Sequence, residues 1–266
     1  MKFQNAKKRF EKICKDIKAL KIQGAENVAI AGIKAYSIIP TEQSIKRLLS
    51  LRATEPALKR SLMHAKKFGT AAALNHFKAS QDKINQNVLK IIKNNFVIFT
   101  HCHSNTAIRA LIYAKKKGKK FSVVNTETRP LFQGRKTAID LSKAGIKVTT
   151  MVDSGARIEL QKADCMIIGC DAILRNGDAI NKIGSGMFAQ IASEMKKPVY
   201  IVTDSWKFSK EKVSIEERNF EEIWKIMKKN IRIENPAFEK VEHKYITAII
   251  SEMGILKPKE FAKKLK

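Results

Sequence analysis

The sequence predicts an α/β chain, with a helical region over residues 1–94 followed by residues 95–266 built on a mostly parallel sheet. Three observations predict it. Apolar residues recur at helical spacing through the first ~95 residues. After residue 95, short apolar runs alternate with amphipathic stretches, the signature of βαβ units. No repeat or low-complexity linker separates the two patterns, so the boundary is a change of period.

The elements follow in order. Phe10, Ile13, Ile17 and Leu20 mark one face of a first helix. Val28 to Ile39, rich in Ala and Ile, gives a second. Thr54-Glu55-Pro56 reads as a helix start, with Thr54 as N-cap and proline in the first turn, and Leu58, Leu62 and Ala65 continue that face. Ala71 to Ile92 is a long helix leading into the sheet. Strands are expected at Phe96–Phe99, Phe121–Val124, Val148–Val152, Met166–Ile168 and Val199–Val202. Helices are expected at Thr106–Lys117, Thr137–Ala144 and Met187–Met195. Beyond them, Arg218–Lys228 and Tyr245–Met253 read as helices, Asn235-Pro236 as a turn, and Lys257-Pro258 as the start of a short terminal helix.

Composition narrows the classes. At 266 residues, with 44% hydrophobic and 29% charged residues, the chain can bury a sizeable core. No run approaches the ~18 apolar residues of a membrane span. The start, Met1 to Lys8, lacks the apolar stretch of a signal peptide, so a cytoplasmic protein is expected. Cys14, Cys102, Cys165 and Cys170 form no C-x-x-C pair, which argues against a zinc site and for a reducing compartment. The formal net charge of +27 points to anionic partners. Its lysines are spread along the chain and no aromatic-interleaved basic motif occurs, so the charge reads as a solvated surface rather than a nucleic-acid site.

The candidate chemistry sits at strand ends, where open α/β sheets bind ligands. Cys102, in Thr100-His101-Cys102-His103-Ser104, follows the first strand and precedes a helix. Amides at a helix start lower a thiol pKa, so Cys102 is a candidate base or nucleophile; a buried structural cysteine is the alternative. His101 and His103 flank it and are expected on the opposite face of the strand. Asp171 follows Met166–Ile168, and a carboxyl group in such a partly dry position has a raised pKa and can act as an acid. Asp204, after Val199–Val202, competes with it. Glu127 and Arg129 either pair with each other or bind substrate, and arginine suits a phosphate because its fork donates two hydrogen bonds. Asn176 to Gly184 is a polar segment whose end, with Lys182 and Gly184, can hold a phosphate.

The segments Thr100-His101-Cys102-His103-Ser104, Glu127-Thr128-Arg129-Pro130, Gln133-Gly134-Arg135, Gly169-Cys170-Asp171 and Asn181-Lys182-Ile183-Gly184 resemble, in this order, a superfamily of three groups. These are the archaeal ribose-1,5-bisphosphate isomerases, the methylthioribose-1-phosphate isomerases, and the alpha, beta and delta regulatory subunits of the exchange factor for translation initiation factor two. The likeness runs from about residue 15 to 255, and its nearest group is the archaeal ribose-1,5-bisphosphate isomerases.

The resemblance implies a helical N-terminal domain and a Rossmann-like domain with the site at their junction. It implies catalysis by Cys102 and Asp171. It places substrate on Gln23, Gly24, Ala25, Arg52, Ser104, Asn105, Thr106, Gln133, Asn181, Lys182 and Lys207, without metal or organic cofactor. It also implies a homo-oligomer, dimer or hexamer. Two segments depart from the usual pattern. Gln23, in Ile22-Gln23-Gly24-Ala25, stands where the isomerases carry arginine, and Leu51-Arg52-Ala53-Thr54 replaces Arg-Pro-Thr while keeping Arg52. Cys170 stands where alanine is more usual, a small change. The implied reaction converts ribose 1,5-bisphosphate to ribulose 1,5-bisphosphate. The alternatives are a methylthioribose-1-phosphate isomerase and a non-catalytic regulatory subunit that binds translation factor two or a nucleotide.

Overall fold

The computed structural model describes residues 2–52 and 55–266. Five helices come first: α1 (Lys2–Lys18), α2 (Ala25–Ile38), α3 (Glu42–Leu49), α4 (Pro56–Phe68) and α5 (Thr70–Ile91). α1 stops short of Leu20, which takes a left-handed φ of 58° and leaves the helix. α3 has no counterpart in the sequence reading, although Thr41 caps it by accepting from the Ser44 N–H. α4 keeps its first-turn proline, but its N-cap position is Glu55. Thr54, assigned that role above, lies outside the described residues. Leu58, Leu62 and Ala65 face inward as their spacing predicts and pack with Val28, Ile33 and Phe10 in a helical core.

The α/β part continues with β1 (Phe96–Thr100), α6 (Asn105–Lys116), β2 (Phe121–Thr126), α7 (Gln133–Lys143), β3 (Lys147–Met151), α8 (Ala156–Lys162) and β4 (Cys165–Ile168). A hairpin, β5 (Ala172–Ile173) and β6 (Ala179–Lys182), then α9 (Ser185–Glu194) and β7 (Val199–Val202) follow. The end of the chain supplies β8 (Phe238–Val241), β9 (Ala248–Ser251), β10 (Gly254–Leu256) and α10 (Pro258–Leu265). The main sheet has the order β10-β9-β7-β4-β1-β2-β3, and all its pairings are parallel except β9 with β10. β5, β6 and β8 make a small antiparallel sheet beside it.

Alternation along the strands sorts the core. Ile98, Val123, Ile167, Val202 and Ile250 pack under α5 and α6. Their neighbours Phe99, Val124, Met166, Ile168, Ile201 and Ile249 pack against Leu160, Phe188 and Phe261 from α8, α9 and α10. Both faces are covered, which is why these strands read as continuous apolar runs. α5 serves two cores: Ala73 and Phe77 join the helical one, and Ile84 and Val88 the sheet.

Two expected helices are absent. Tyr245–Met253 contains β9, whose Ala248, Ile249 and Ile250 are buried between β7 and β10. A run this short carries no period, and β-branched residues with a long-range pairing partner favour the strand. Arg218–Lys228 holds only a single 3₁₀ turn, Phe220–Glu222. Its apolar side chains Ile223, Trp224 and Met227 are exposed, so nothing buries the face a helix would need. Pro236 lies in a short bridge to Glu217 rather than in a turn. None of the described helices is long and apolar enough to cross a membrane.

Candidate active site

The carboxyl ends of β1 and β4 open onto a cavity of about 380 Å³. All of the residues that the resemblance implies as catalytic or substrate-binding line it: Gln23, Gly24, Ala25, Arg52, Cys102, Ser104, Asn105, Thr106, Gln133, Asp171, Asn181, Lys182 and Lys207. Three helix starts contribute. Gly24 is the N-cap residue of α2, Ser104 caps α6 by accepting from the Ala107 N–H, and Gln133 opens α7. Free amides at such starts favour anions.

Close packing explains two of the motifs. A Cβ on Gly169 would fall 2.3 Å from the Ser104 hydroxyl oxygen, so the end of β4 is seated directly on the β1–α6 turn. A Cβ on Gly134 would fall 1.8 Å from the Thr126 carbonyl oxygen, so only glycine lets α7 start against the end of β2.

Cys102 leaves β1 with a left-handed φ of 63°. Its N–H donates to the Thr128 hydroxyl, and its carbonyl accepts from the Thr137 hydroxyl at 2.6 Å. This turn places His101 and His103 on the cavity wall with Cys102, not opposite to it as a continued strand would. The helix-start expectation of a lowered thiol pKa fails. The residue as a whole is only partly covered, yet burial of the thiol dominates and pushes it up to about 11, with Lys182 acting the other way. Asp171 is raised too, chiefly by burial, against Lys207, Lys182 and Arg52.

His101 is a structural group. Its Nε2–H donates to the Ile183 carbonyl at 2.9 Å, which leaves Nδ1 to accept from the Thr126 hydroxyl at 2.6 Å. Burial lowers its pKa from 6.5 to about 4. The unfolded chain therefore binds a proton that the fold excludes. Stability from this group is complete above pH 6.5 and is lost as pH falls toward 4. The expected loss is roughly 3 kcal/mol, measured by chemical denaturation across that range, and His101→Gln should flatten the dependence. The His103 pKa is lowered as well, by burial and then by the nearby Lys136, and its Nδ1 bonds Thr137.

The cations differ in their partners. Lys182 lies on β6, with its Nζ 4.8 Å from the Phe238 ring centroid, and Lys207 Nζ donates to the Cys170 carbonyl at 2.7 Å. Neither has a carboxylate partner among the described residues. Arg52 is buried beside Glu55 at 2.8 Å and Glu216 at 3.4 Å, with Nε and Nη1 lacking a partner among the described residues. The Asn181 amide donates to the Ser185 hydroxyl, and Gln133 Oε1 is buried without a donor among the described residues. Asn105 donates to Asn27, and Thr106 donates to Glu26, which also pairs with Arg109. Gln23 is exposed at the rim, its side-chain amide held by the Leu20 carbonyl.

Other sequence candidates fall elsewhere. Glu127 pairs with Arg135 at 2.7 Å rather than with Arg129, whose guanidinium lies over Phe132. Asp204 is outside the cavity wall. It accepts from His76 at 3.1 Å and from the Trp206 N–H, capping the turn that carries Lys207. His76, Asp204 and Glu252 have ligand atoms within 4.8 Å of one another, a spacing a metal ion could use. Hydrogen bonds to His76, Trp206 and Ser205 already engage both carboxylates there. Sequence reasoning missed Lys136, which directly follows Gln133-Gly134-Arg135, and Arg218, which no local motif marks; both line the cavity.

Residues 22–258 match the model of the initiation factor 2 subunit family. A ribose 1,5-bisphosphate isomerase of Archaeoglobus fulgidus is 37% identical over 192 residues, covering 70% of this chain and 61% of the relative. A 5-deoxyribose 1-phosphate isomerase of Clostridium botulinum is 37% identical over 205 residues, covering 68% and 59%. The chain thus spans about three fifths of the length of these relatives. In three dimensions it is similar to a translation initiation factor eIF-2B structure from Pyrococcus horikoshii, with a TM-score of 0.86, 24% identity, and 95% and 98% of the two chains covered.

Proposed function

Because the chain belongs to the initiation factor 2 subunit family, we propose that it is an aldose–ketose isomerase that converts ribose 1,5-bisphosphate to ribulose 1,5-bisphosphate. The observation that carries this reading is that Cys102 and Asp171 line the same cavity, together with the cations Lys182, Lys207 and Arg52. The likeness to relatives named for sugar-phosphate isomerisation supports it.

A C1 phosphate locks the sugar as a ring, so the ring opens first. Asp171 in its acid form donates its proton to the ring oxygen as the C1–O bond to that oxygen breaks. The Cys102 thiolate takes the proton from C2, and the C–H electrons form a C1–C2 double bond. The C2 hydroxyl then returns a proton to the Asp171 carboxylate as the C2 carbonyl forms, and the Cys102 thiol delivers its proton to C1. Both groups end as they began. Lys182 and Lys207 balance the negative charge that builds on the enediol phosphate.

The reactive form pairs an ionised thiol with a protonated carboxyl group. Between the two titrations its fraction is constant, and it falls on either side of them. With the thiol at about 11, kcat/KM should stay level through the mildly alkaline range and fall only as pH 11 is approached. A fall in the ordinary thiol range would show that burial does not raise the Cys102 thiol in the working enzyme.

The deciding assay follows ketose formation from ribose 1,5-bisphosphate, with 5-deoxyribose 1-phosphate alongside. Turnover of the bisphosphate in preference supports the reading. A folded protein that turns over neither substrate would leave the regulatory-subunit reading in its place.

A further inference from the structure

One cation on the cavity wall is delivered from far along the chain. Arg218 lies in the irregular stretch between β7 and β8, and its side chain is 10% exposed. Its guanidinium reaches Glu222 at 2.7 Å and Glu216 at 3.5 Å. Glu216 also reaches Arg52, at 3.4 Å, so a single carboxylate brackets two guanidinium groups. Both arginines line the cavity, whereas Glu216 and Glu222 are not part of its wall. The carboxylates therefore grip the arginines from outside the cavity. On Arg52 two buried nitrogens, Nε and Nη1, have no hydrogen-bond partner among the described residues. The other neighbour of Arg52, Glu55, is raised to about 7 by burial, so it only partly offsets the charge at neutral pH.

Resting on the isomerase reading, we infer that Arg218 is a substrate-binding residue: with Arg52 it forms a double-guanidinium seat for one phosphate of the sugar bisphosphate, and Glu216, which ion-pairs with both, is the positioning residue. The chemistry suits the ligand. A phosphate dianion presents several acceptor oxygens, and two planar forks can donate to it at once.

The test is calorimetric binding of ribulose 1,5-bisphosphate to the full chain, in wild type, Arg218→Gln, Arg218→Lys and Glu222→Gln, with thermal melts as folding controls. Arg218→Gln should weaken binding at least about ten-fold, the scale of one lost charge-assisted hydrogen bond. Arg218→Lys keeps the charge without the fork and should fall between wild type and the glutamine variant. It also carries the test if the glutamine variant does not fold. Glu222→Gln should stay within about three-fold of wild type, because the glutamine Oε1 can still accept from Arg218 Nε and Nη2 while the ion pair to Glu216 remains. In turnover, Arg218→Gln should act mainly on KM.

Unchanged binding in both Arg218 variants would overturn the assignment. So would equal weakening by Arg218→Gln and Glu222→Gln, which would mean that Arg218 only pins its own loop. A wild type that binds ribulose 1,5-bisphosphate through Arg218 but does not turn over ribose 1,5-bisphosphate would keep the seat and remove the isomerase. A wild type that binds no bisphosphate would remove both.

Discussion

Cys102→Ser and Asp171→Asn are each expected to lower turnover of ribose 1,5-bisphosphate by ~10²–10⁴-fold, the usual contribution of one acid–base group. The serine hydroxyl matches the thiol in shape but ionises far less readily, so proton removal from C2 fails while the turn is kept. The asparagine keeps the size of Asp171 but has no carboxyl proton to give to the ring oxygen. Both variants should bind ribulose 1,5-bisphosphate within a few-fold of wild type, because the proposed phosphate seats are on other side chains. The double variant should lose little more than either single one, as expected for groups that act in one sequence. Single-turnover measurement of ketose formation checks each value. Full activity in Cys102→Ser would show that the thiol is a wall residue.

The second large effect is structural. Gly134→Ala should destabilise the fold by about 3 kcal/mol, at the upper end of ordinary overpacking. The added methyl would meet backbone, the Thr126 carbonyl at 1.8 Å and the Glu127 carbonyl carbon at 2.9 Å, and neither can rotate away as a side chain could. The remedy open to the chain is to push the first turn of α7 off β2. That turn carries Gln133, and Asn125 donates to the Gly134 carbonyl at 2.7 Å. KM should therefore rise together with the loss of stability. Denaturant unfolding and steady-state kinetics on the same preparation test this, and a change under about 0.5 kcal/mol would mean that the approach is looser than the structure has it.

Much of the α/β part is legible from the chain because its strands are covered on both faces and appear as unbroken apolar runs. The five strands read from the sequence are β1, β2, β3, β4 and β7, each within two residues at either end. β9 is not legible in the same way. Ile246 to Ser251 is as apolar as a buried helical turn, and what selects the strand is β7, some fifty residues earlier in the chain. The Arg218–Lys228 stretch fails for the opposite reason: its spacing suits a helix, but no neighbouring surface covers Ile223, Trp224 and Met227.

The site divides likewise. Cys102 and Asp171 stand at strand ends and can be found from the sequence. The direction of the thiol pKa cannot, since the helix-start argument counts nearby amides and leaves out the burial that outweighs them. Arg218 carries no local signature, because only the folded chain brings it to the cavity.

The continuity of α5 bears on how substrate gets in. This 22-residue helix spans about 33 Å and is a rigid tie beam, anchored at one end among the N-terminal helices and at the other on the sheet. Swinging the helices away from the sheet as a jaw would tear Phe77 or Val88 from its packing. Traffic through the cavity mouth is therefore left to local parts, namely the rim around Gln23 and the stretch that carries Arg218. The two cores should also melt in a single cooperative step, with no intermediate in which the sheet survives its helical cap.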